Sequence, residues 1–197
     1  MITIVAHRPS WTVEFQEIAK VLGLGLGEVA LRIDHIGSTS VPNLCAKDVI
    51  DIQVTVESLD ERLAERLRNL NFVQRPDIQA DHLPPGYTGP DEDWRKLFFV
   101  QANGQRRLNI HVRQVGRPNQ RYALLFRDYL VAHPQTAAAY GELKRRLAAA
   151  FVSEEAYADV KDPAVDLIYF AAEQWASHIR WQTEPRNGHI RSSENEA

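Results

Sequence analysis

The stretch HIGSTSVP, residues 35–42, is followed after five residues by DVIDIQVTV, residues 48–56, and this pair decides the fold class. In the second segment Ile50, Ile52, Val54 and Val56 fall on one side of an extended chain, and Val49, Asp51, Gln53 and Thr55 on the other. That alternation predicts a strand with an apolar face toward a core and a second face bearing a carboxylate. ALRIDHIG, residues 30–37, predicts a strand entering the loop. The loop places one glycine, three hydroxyls and a proline between two strands. It reads as a phosphate cradle or as a tight turn. Gly37 would let backbone approach an anion, and Ser38, Thr39 and Ser40 would donate hydrogen bonds.

Outward from this pair, Pro9-Ser10 followed by WTVEFQEIAKVLG predicts a helix with Ser10 as N-cap and GLGLG, residues 23–27, as its stop. GLGLG lacks the preceding strand of a dinucleotide fingerprint. Ser58 to Glu61 forms a capping box, and Leu59, Leu63, Leu67 and Leu70 make an apolar helical stripe. Residues 74–93 are proline-rich and predict a long loop. Asn103-Gly104 between two strand-like runs predicts a type I′ hairpin. In its second arm Leu108, Ile110 and Val112 face one way, and Arg107, Asn109, His111 and Arg113 the other. Helices are expected over 119–131 and 134–152. A last one should start at Asp162-Pro163, with Asp162 as N-cap, and run to about 181. The expected organisation is a single α+β domain over residues 1–181 and a polar tail over 182–197.

The 197 residues suffice for one well-buried domain, and 44% hydrophobic with 25% charged residues is ordinary for a soluble protein. One cysteine, Cys45, excludes an internal disulfide framework and suits a reducing cytosol; it reads as a small packed residue. MITIVAHRPSW does not open like a signal peptide, and no run approaches the length of a membrane span. A cytoplasmic protein without membrane contact is expected. The net charge of −3 argues against a nucleic-acid partner along an extended surface. Yet from Arg95 to Arg127 there are eight Lys or Arg and no acidic residue: a solvated face, or a field for a small polyanion.

HIGSTSVP, AKDVIDIQV, LNIHV and FRDYLVAHP, with Tyr157 and Lys161, resemble the GrpB family, which also occurs fused to some bacterial dephospho-CoA kinases. AKDVIDIQVTV followed by RPNQRYALLFRDYL is most similar to the fused form. The resemblance spans roughly residues 9–170. It implies a nucleotidyltransferase-like fold, a small mixed sheet flanked by helices, in which a Gly-Ser pair after the first strand works with an Asp-x-Asp/Glu pair on the next. Gly37-Ser38 matches the first element, and Asp51-Ile52-Gln53 stands at the second. No G-x-x-x-x-G-K-[ST] occurs, so dephospho-CoA kinase activity is not expected of this chain.

The chemistry so implied is binding of a nucleotide or other phosphorylated small molecule with Mg²⁺ or Mn²⁺, with nucleotidyl transfer as its enzymatic form. Asp51 is the expected metal ligand and, with His111, the expected catalytic pair. Gln53 stands where an active transferase carries its second carboxylate; its amide oxygen can ligate a metal but brings no charge. Asn109 and His111 stand where a third carboxylate is expected. Asp48, three residues before Asp51, should point to the opposite face. His35, His111 and Asp51 form an alternative transition-metal set. For each histidine a purely structural role stays open. Lys47 and Arg113 would meet phosphate, and Lys47 could equally be solvated. Arg127 reads as a ligand contact or as an ion pair with Asp128. Lys144, Tyr157 and Lys161 match family positions and would close the pocket from the helical side. Trp94 is a core residue or a stacking platform. A dephospho-CoA kinase is the expected protein partner if the chain is a folding or regulatory accessory.

Overall fold

The computed structural model describes residues 2–150 and 153–183. Helix α1 (Ser10–Leu26) precedes β1 (Arg32–Ile36), a 3₁₀ turn (Ser38–Ser40) and β2 (Ile50–Val56). Then come α2 (Glu61–Asn69), β3 (Phe72–Gln74), a second 3₁₀ turn (Asp91–Trp94), β4 (Leu97–Gln101) and β5 (Leu108–Gln114). Three helices finish the described chain: α3 (Pro118–Ala132), α4 (Pro134–Ala150) and α5 (Glu154–Ile179). The architecture is α+β, a small mixed sheet flanked by helices, as the family resemblance implies.

The sheet order is β1-β2-β5-β4-β3. β2 runs parallel to β5, while the β1–β2, β5–β4 and β4–β3 pairs are antiparallel. The parallel register sets Asp51 beside Asn109, Gln53 beside His111 and Thr55 beside Arg113. Every polar residue the sequence placed on the two outer faces therefore joins one continuous polar surface. The opposite face carries Ile50, Ile52, Val54, Val56, Ile110 and Val112, buried against Trp11, Leu22 and Leu26 of α1 and Leu63 and Leu67 of α2. Each such aliphatic side chain contributes about 1.5–3 kcal/mol by leaving water. α3, α4 and α5 form a separate apolar cluster around Leu125, Tyr129, Tyr140 and Ala172, which also takes in Val41 and Leu44 from the segment after the 35–42 loop. The helical group is thereby anchored beside the polar face of the sheet.

Several boundaries differ from the sequence reading. GLGLG ends α1 at its last glycine: Gly27, with φ 57°, is the C-cap of a helix that continues to Leu26. Gly25 lies within it because a Cβ there would come 2.5 Å from Leu70 Cδ1, so the glycine lets α1 and α2 approach. Asp60, not Ser58, caps α2, its carboxylate accepting from Leu63 N at 2.9 Å. At the hairpin Gly104 has φ 78° while Asn103 has no positive φ, so the turn is not type I′, which needs both. Strand β3 closes the sheet edge just before the long loop, and Ala80 forms an isolated bridge with Arg95. α5 begins after Ser153, whose Oγ accepts from Ala156 N at 3.1 Å, and runs through Pro163. Residues 184–197, most of the expected tail, lie outside the described residues.

Candidate functional site

The loop geometry starts at Gly37. Its φ of 69° and ψ of −172° belong to glycine, and a Cβ there would sit 2.5 Å from Asp51 Oδ2. The missing side chain thus lets the loop backbone lie against the carboxylate. Ser40 Oγ donates to Gly37 O at 2.6 Å and is spent on the turn. Thr39 is buried, its Oγ1 3.0 Å from His35 Nε2. Ser38 keeps a place on the cavity wall.

A cavity of about 710 Å³ opens between the polar sheet face and α3, α4 and α5. From the sequence-derived set it is lined by Gly37, Ser38, Thr39, Lys47, Asp51, Asn109, His111, Arg113, Lys144, Tyr157 and Lys161. Four of the expected residues lie elsewhere. His35 points to the other side of β1 and stacks on Phe15 of α1, centroids 4.7 Å apart. Burial pushes its pKa down to about 4, so it is a neutral buttress. Ser40 serves the turn. Arg127 donates to His35 O at 3.1 Å and to Asp128 Oδ1 at 2.7 Å, bracing the end of β1. Gln53 is fully buried: its Nε2 donates to Gln120 O at 3.1 Å, and its Oε1 accepts from Arg113 Nη1 at 2.6 Å.

On the sheet face, Asp51 Oδ1 accepts from Asn109 Nδ2 at 2.8 Å and lies 3.9 Å from His111 Nε2. Burial raises the Asp51 pKa, but His111 and Asn109 outweigh it and hold the carboxyl below its ordinary value. Lys96 Nζ and Arg113 Nη2 each sit 3.3 Å from His111 Nδ1. Both are donors only, so Nδ1 accepts and the ring proton resides on Nε2, facing Asp51. Burial first and the Lys96 charge second push the His111 pKa down to about 4. His111 is therefore a neutral donor into the cavity and has no free lone pair with which to act as a base.

Asp81, from the long loop, was not singled out by sequence. It accepts from Lys96 Nζ at 2.7 Å, from Arg113 Nε and Nη2 at 2.8 Å each, and from Asn119 Nδ2 at 3.1 Å. Burial opposes its ionisation, yet Arg113 and Lys96 overcome this and hold it well below the carboxylate range. No periodicity flags a lone aspartate in a proline-rich loop. Tyr122 and Tyr140 also line the cavity; each has a pKa raised by burial, and Trp94 meets Tyr122 edge-on.

On the helical wall Lys144 is buried, donating to Cys45 O at 2.5 Å and lying 4.7 Å from the Tyr140 ring centroid. Burial lowers its pKa to about 7. Lys47 Nζ is 5.1 Å from the Tyr157 ring centroid, and burial pushes the Tyr157 phenol up to about 12. Lys161 donates to Asp162 at 2.9 Å. Cys45 is buried with its Sγ on Gly141 O, a packing role. The basic run from 95 to 127 is largely neutralised by acids from elsewhere in the chain. Arg106 pairs with Glu14 and Asp48, Arg117 with Asp93, Arg121 with Glu173, and Lys96 and Arg113 with Asp81. Arg107 remains exposed on the cavity rim.

The donor set does not fit a two-metal centre. Gln53 has both amide atoms engaged, and Asn109 turns its nitrogen to Asp51. Asp48 is held by Arg8, Trp11 and Arg106 outside the cavity. The alternative set of His35, His111 and Asp51 is split across two faces of the sheet. Among the described residues no three His, Cys, Asp or Glu side chains converge as metal ligands. Asp51 is the carboxylate that lies against the Gly37 turn.

The family model described as GrpB protein matches residues 1–170. The chain belongs to the GrpB family. A solved relative, the conserved protein GrpB from Enterococcus faecalis, has a TM-score of 0.69 and 30% identity, covering 88% of this chain and 99% of that one. Among curated GrpB relatives, a dephospho-CoA kinase of Mycolicibacterium paratuberculosis is 36% identical over 92% of this chain. The GrpB chain spans 48% of that kinase, about half its length. The UPF0157 protein BH1888 of Halalkalibacterium halodurans is 33% identical over 85% of this chain and 80% of its own. Far weaker is the likeness to Cid1 poly(U) polymerase, TM-score 0.44 at 13% identity over 72% of this chain and 41% of that one, a resemblance of outline and no more. Among the described residues no helix is long and apolar enough to cross a membrane.

Proposed function

We propose that this GrpB chain binds a nucleotide or other phosphorylated small molecule in the cavity between the polar sheet face and α3–α5. The observation that carries this is the Gly37 turn, pressed against Asp51 at a cavity also lined by Lys47, Lys144 and Lys161. At about 710 Å³ the space is of small-ligand size. Phosphate oxygens would meet the Gly37–Ser38 backbone and the three amines, while Trp94, Tyr122 and Phe126 offer apolar surface to the rest of the ligand. Lys144, near neutrality in its pKa, gains charge as an anion approaches.

A Mg²⁺ or Mn²⁺ ion would be held by Asp51 in company with ligand oxygens, since among the described residues no three His, Cys, Asp or Glu side chains converge as metal ligands. The reading is accordingly one of binding, with transfer chemistry lacking the charge it needs. Calorimetric titration with ATP, GTP, CTP, CoA and dephospho-CoA, each with Mg²⁺ and with chelator, tests it. Micromolar to millimolar affinity for at least one is expected; none at millimolar ligand would refute the reading.

A second reading rests on the relatives named dephospho-CoA kinase, of which this chain matches about half. In it the GrpB chain is a folding or regulatory accessory to such a kinase. Co-expression should then raise the kinase's soluble yield or lead to co-purification, and the absence of both would remove it.

A further inference from the structure

Asp81 is carried on the segment between β3 and the second 3₁₀ turn, which has no regular structure, yet its partners sit on rigid elements. Arg113 is on β5, Lys96 immediately precedes β4, and Asn119 is in the first turn of α3. Four N–H donors from these three side chains converge on one loop carboxylate at 2.7–3.1 Å. With the segment in place Lys96 and Arg113 are buried, and the Asp81 carboxylate meets both charges. Asp81, Arg113 and Asn119 all line the cavity.

The segment closes over groups that are incompletely satisfied. Asn119 Oδ1 and Asp166 Oδ1 are buried without a hydrogen-bond partner. The other oxygen of Asp166 is the foothold of His82, the next residue of the same segment, at 2.9 Å. Around Asp81 the backbone is tied by an isolated bridge, Asp81 N to Trp94 O and Lys96 N to Gln79 O, with no longer strand pairing among the described residues. A fixed structural ion pair would more often come with a fully bonded surround.

We propose that Lys96, Arg113 and Asn119 form an anion subsite for which Asp81 is a built-in competitor. A phosphate or carboxylate of the ligand takes the place of the Asp81 carboxylate, and the segment carrying Asp81 and His82 lifts from the cavity. No bond is made or broken; one carboxylate is exchanged for another anion of like charge. The inference rests on the proposed ligand cavity and adds a second anchoring point, remote from the Gly37 turn.

The test compares Asp81→Asn with the wild type, using pyrophosphate and malonate as probes to separate phosphate from carboxylate, followed by calorimetry. Hydrogen exchange of the amides of residues 79–83 is measured in the wild type with and without each probe. The expected result is a tenfold or greater gain in affinity for at least one probe in Asp81→Asn, and faster exchange of residues 79–83 in the wild type on binding. Equal or weaker binding by a folded Asp81→Asn overturns the proposal, as does unchanged or slower exchange in the probe-bound wild type. Should Asp81→Asn not fold, the exchange measurement decides alone. Nucleotide binding by the wild type without either effect defeats the competitor and leaves the cavity reading standing; no binding of nucleotide or probe by either protein defeats both.

Discussion

Asn109 Nδ2 donates to Asp51 Oδ1 across the parallel pair of β2 and β5 at 2.8 Å. An amide thus faces the carboxylate from the strand position where a two-metal transferase would offer a further acid. One lone pair of Asp51 Oδ1 is thereby engaged, while Oδ2 lies against the Gly37 turn.

Asp51→Asn should keep the fold, because its amide oxygen can still accept from Asn109. Ligand affinity with Mg²⁺ should fall by about 1.5–3 kcal/mol, the worth of one contact to a charged group. Affinity in chelator should hold or rise, since a negative charge beside the phosphates is gone. Paired titrations with and without Mg²⁺ read this directly, and an unchanged Mg²⁺ response would show that Asp51 holds no cation.

Gln53→Glu restores the charge of the expected second carboxylate but should not create a metal site. It removes the donor to Gln120 O and sets a carboxylate against that carbonyl, while Arg113 offsets part of the penalty. A loss of about 1–3 kcal/mol in urea unfolding is expected, with no added stabilisation by Mg²⁺ or Mn²⁺.

Gly37→Ala forces a methyl into Asp51 and a side chain into a glycine-only conformation. The strain is about 1–3 kcal/mol, visible as a lower melting temperature. Phosphate-ligand affinity should fall further than stability, because the turn must swing off Asp51.

His35 has a native pKa of about 4, below its ordinary value of 6.5. As pH falls from 6.5 to 4 the unfolded chain takes a proton that the native state refuses, so stability declines across that window and levels off below it. The full effect is at most about 3 kcal/mol. His35→Gln should show a shallower decline between pH 6.5 and 4 than the wild type in denaturant unfolding. His111, also near 4, should supply the decline that persists.

The alternation in 48–56 and in 108–112 was enough to place the sheet faces, because a period of two leaves little freedom once one face must be buried. The parallel register of β2 and β5, which no periodicity shows, then joined Asp51, Asn109, His111 and Arg113 on one surface. His35 was harder: it alternates toward the core side, and only the stacked Phe15 shows that an imidazole is accommodated there. Arg113 read as a phosphate contact, and what the sequence did not show is the carboxylate that meets its charge in the structure, Asp81, in a loop without pattern. For the basic run, charge in sequence says nothing of the acids that the fold brings to it, such as Glu14, Asp48, Asp93 and Glu173. Pro163 looked like a helix start, but a helix already under way absorbs a proline at the loss of one backbone bond.

The most direct measurement is a crystal structure of the chain soaked or co-crystallised with the tightest nucleotide from the titrations. The account predicts phosphate density against the Gly37–Ser38 backbone, within reach of Asp51 and of Lys144 or Lys161. Density for the ligand outside the cavity, or a cavity left empty by a ligand that binds in solution, would contradict it.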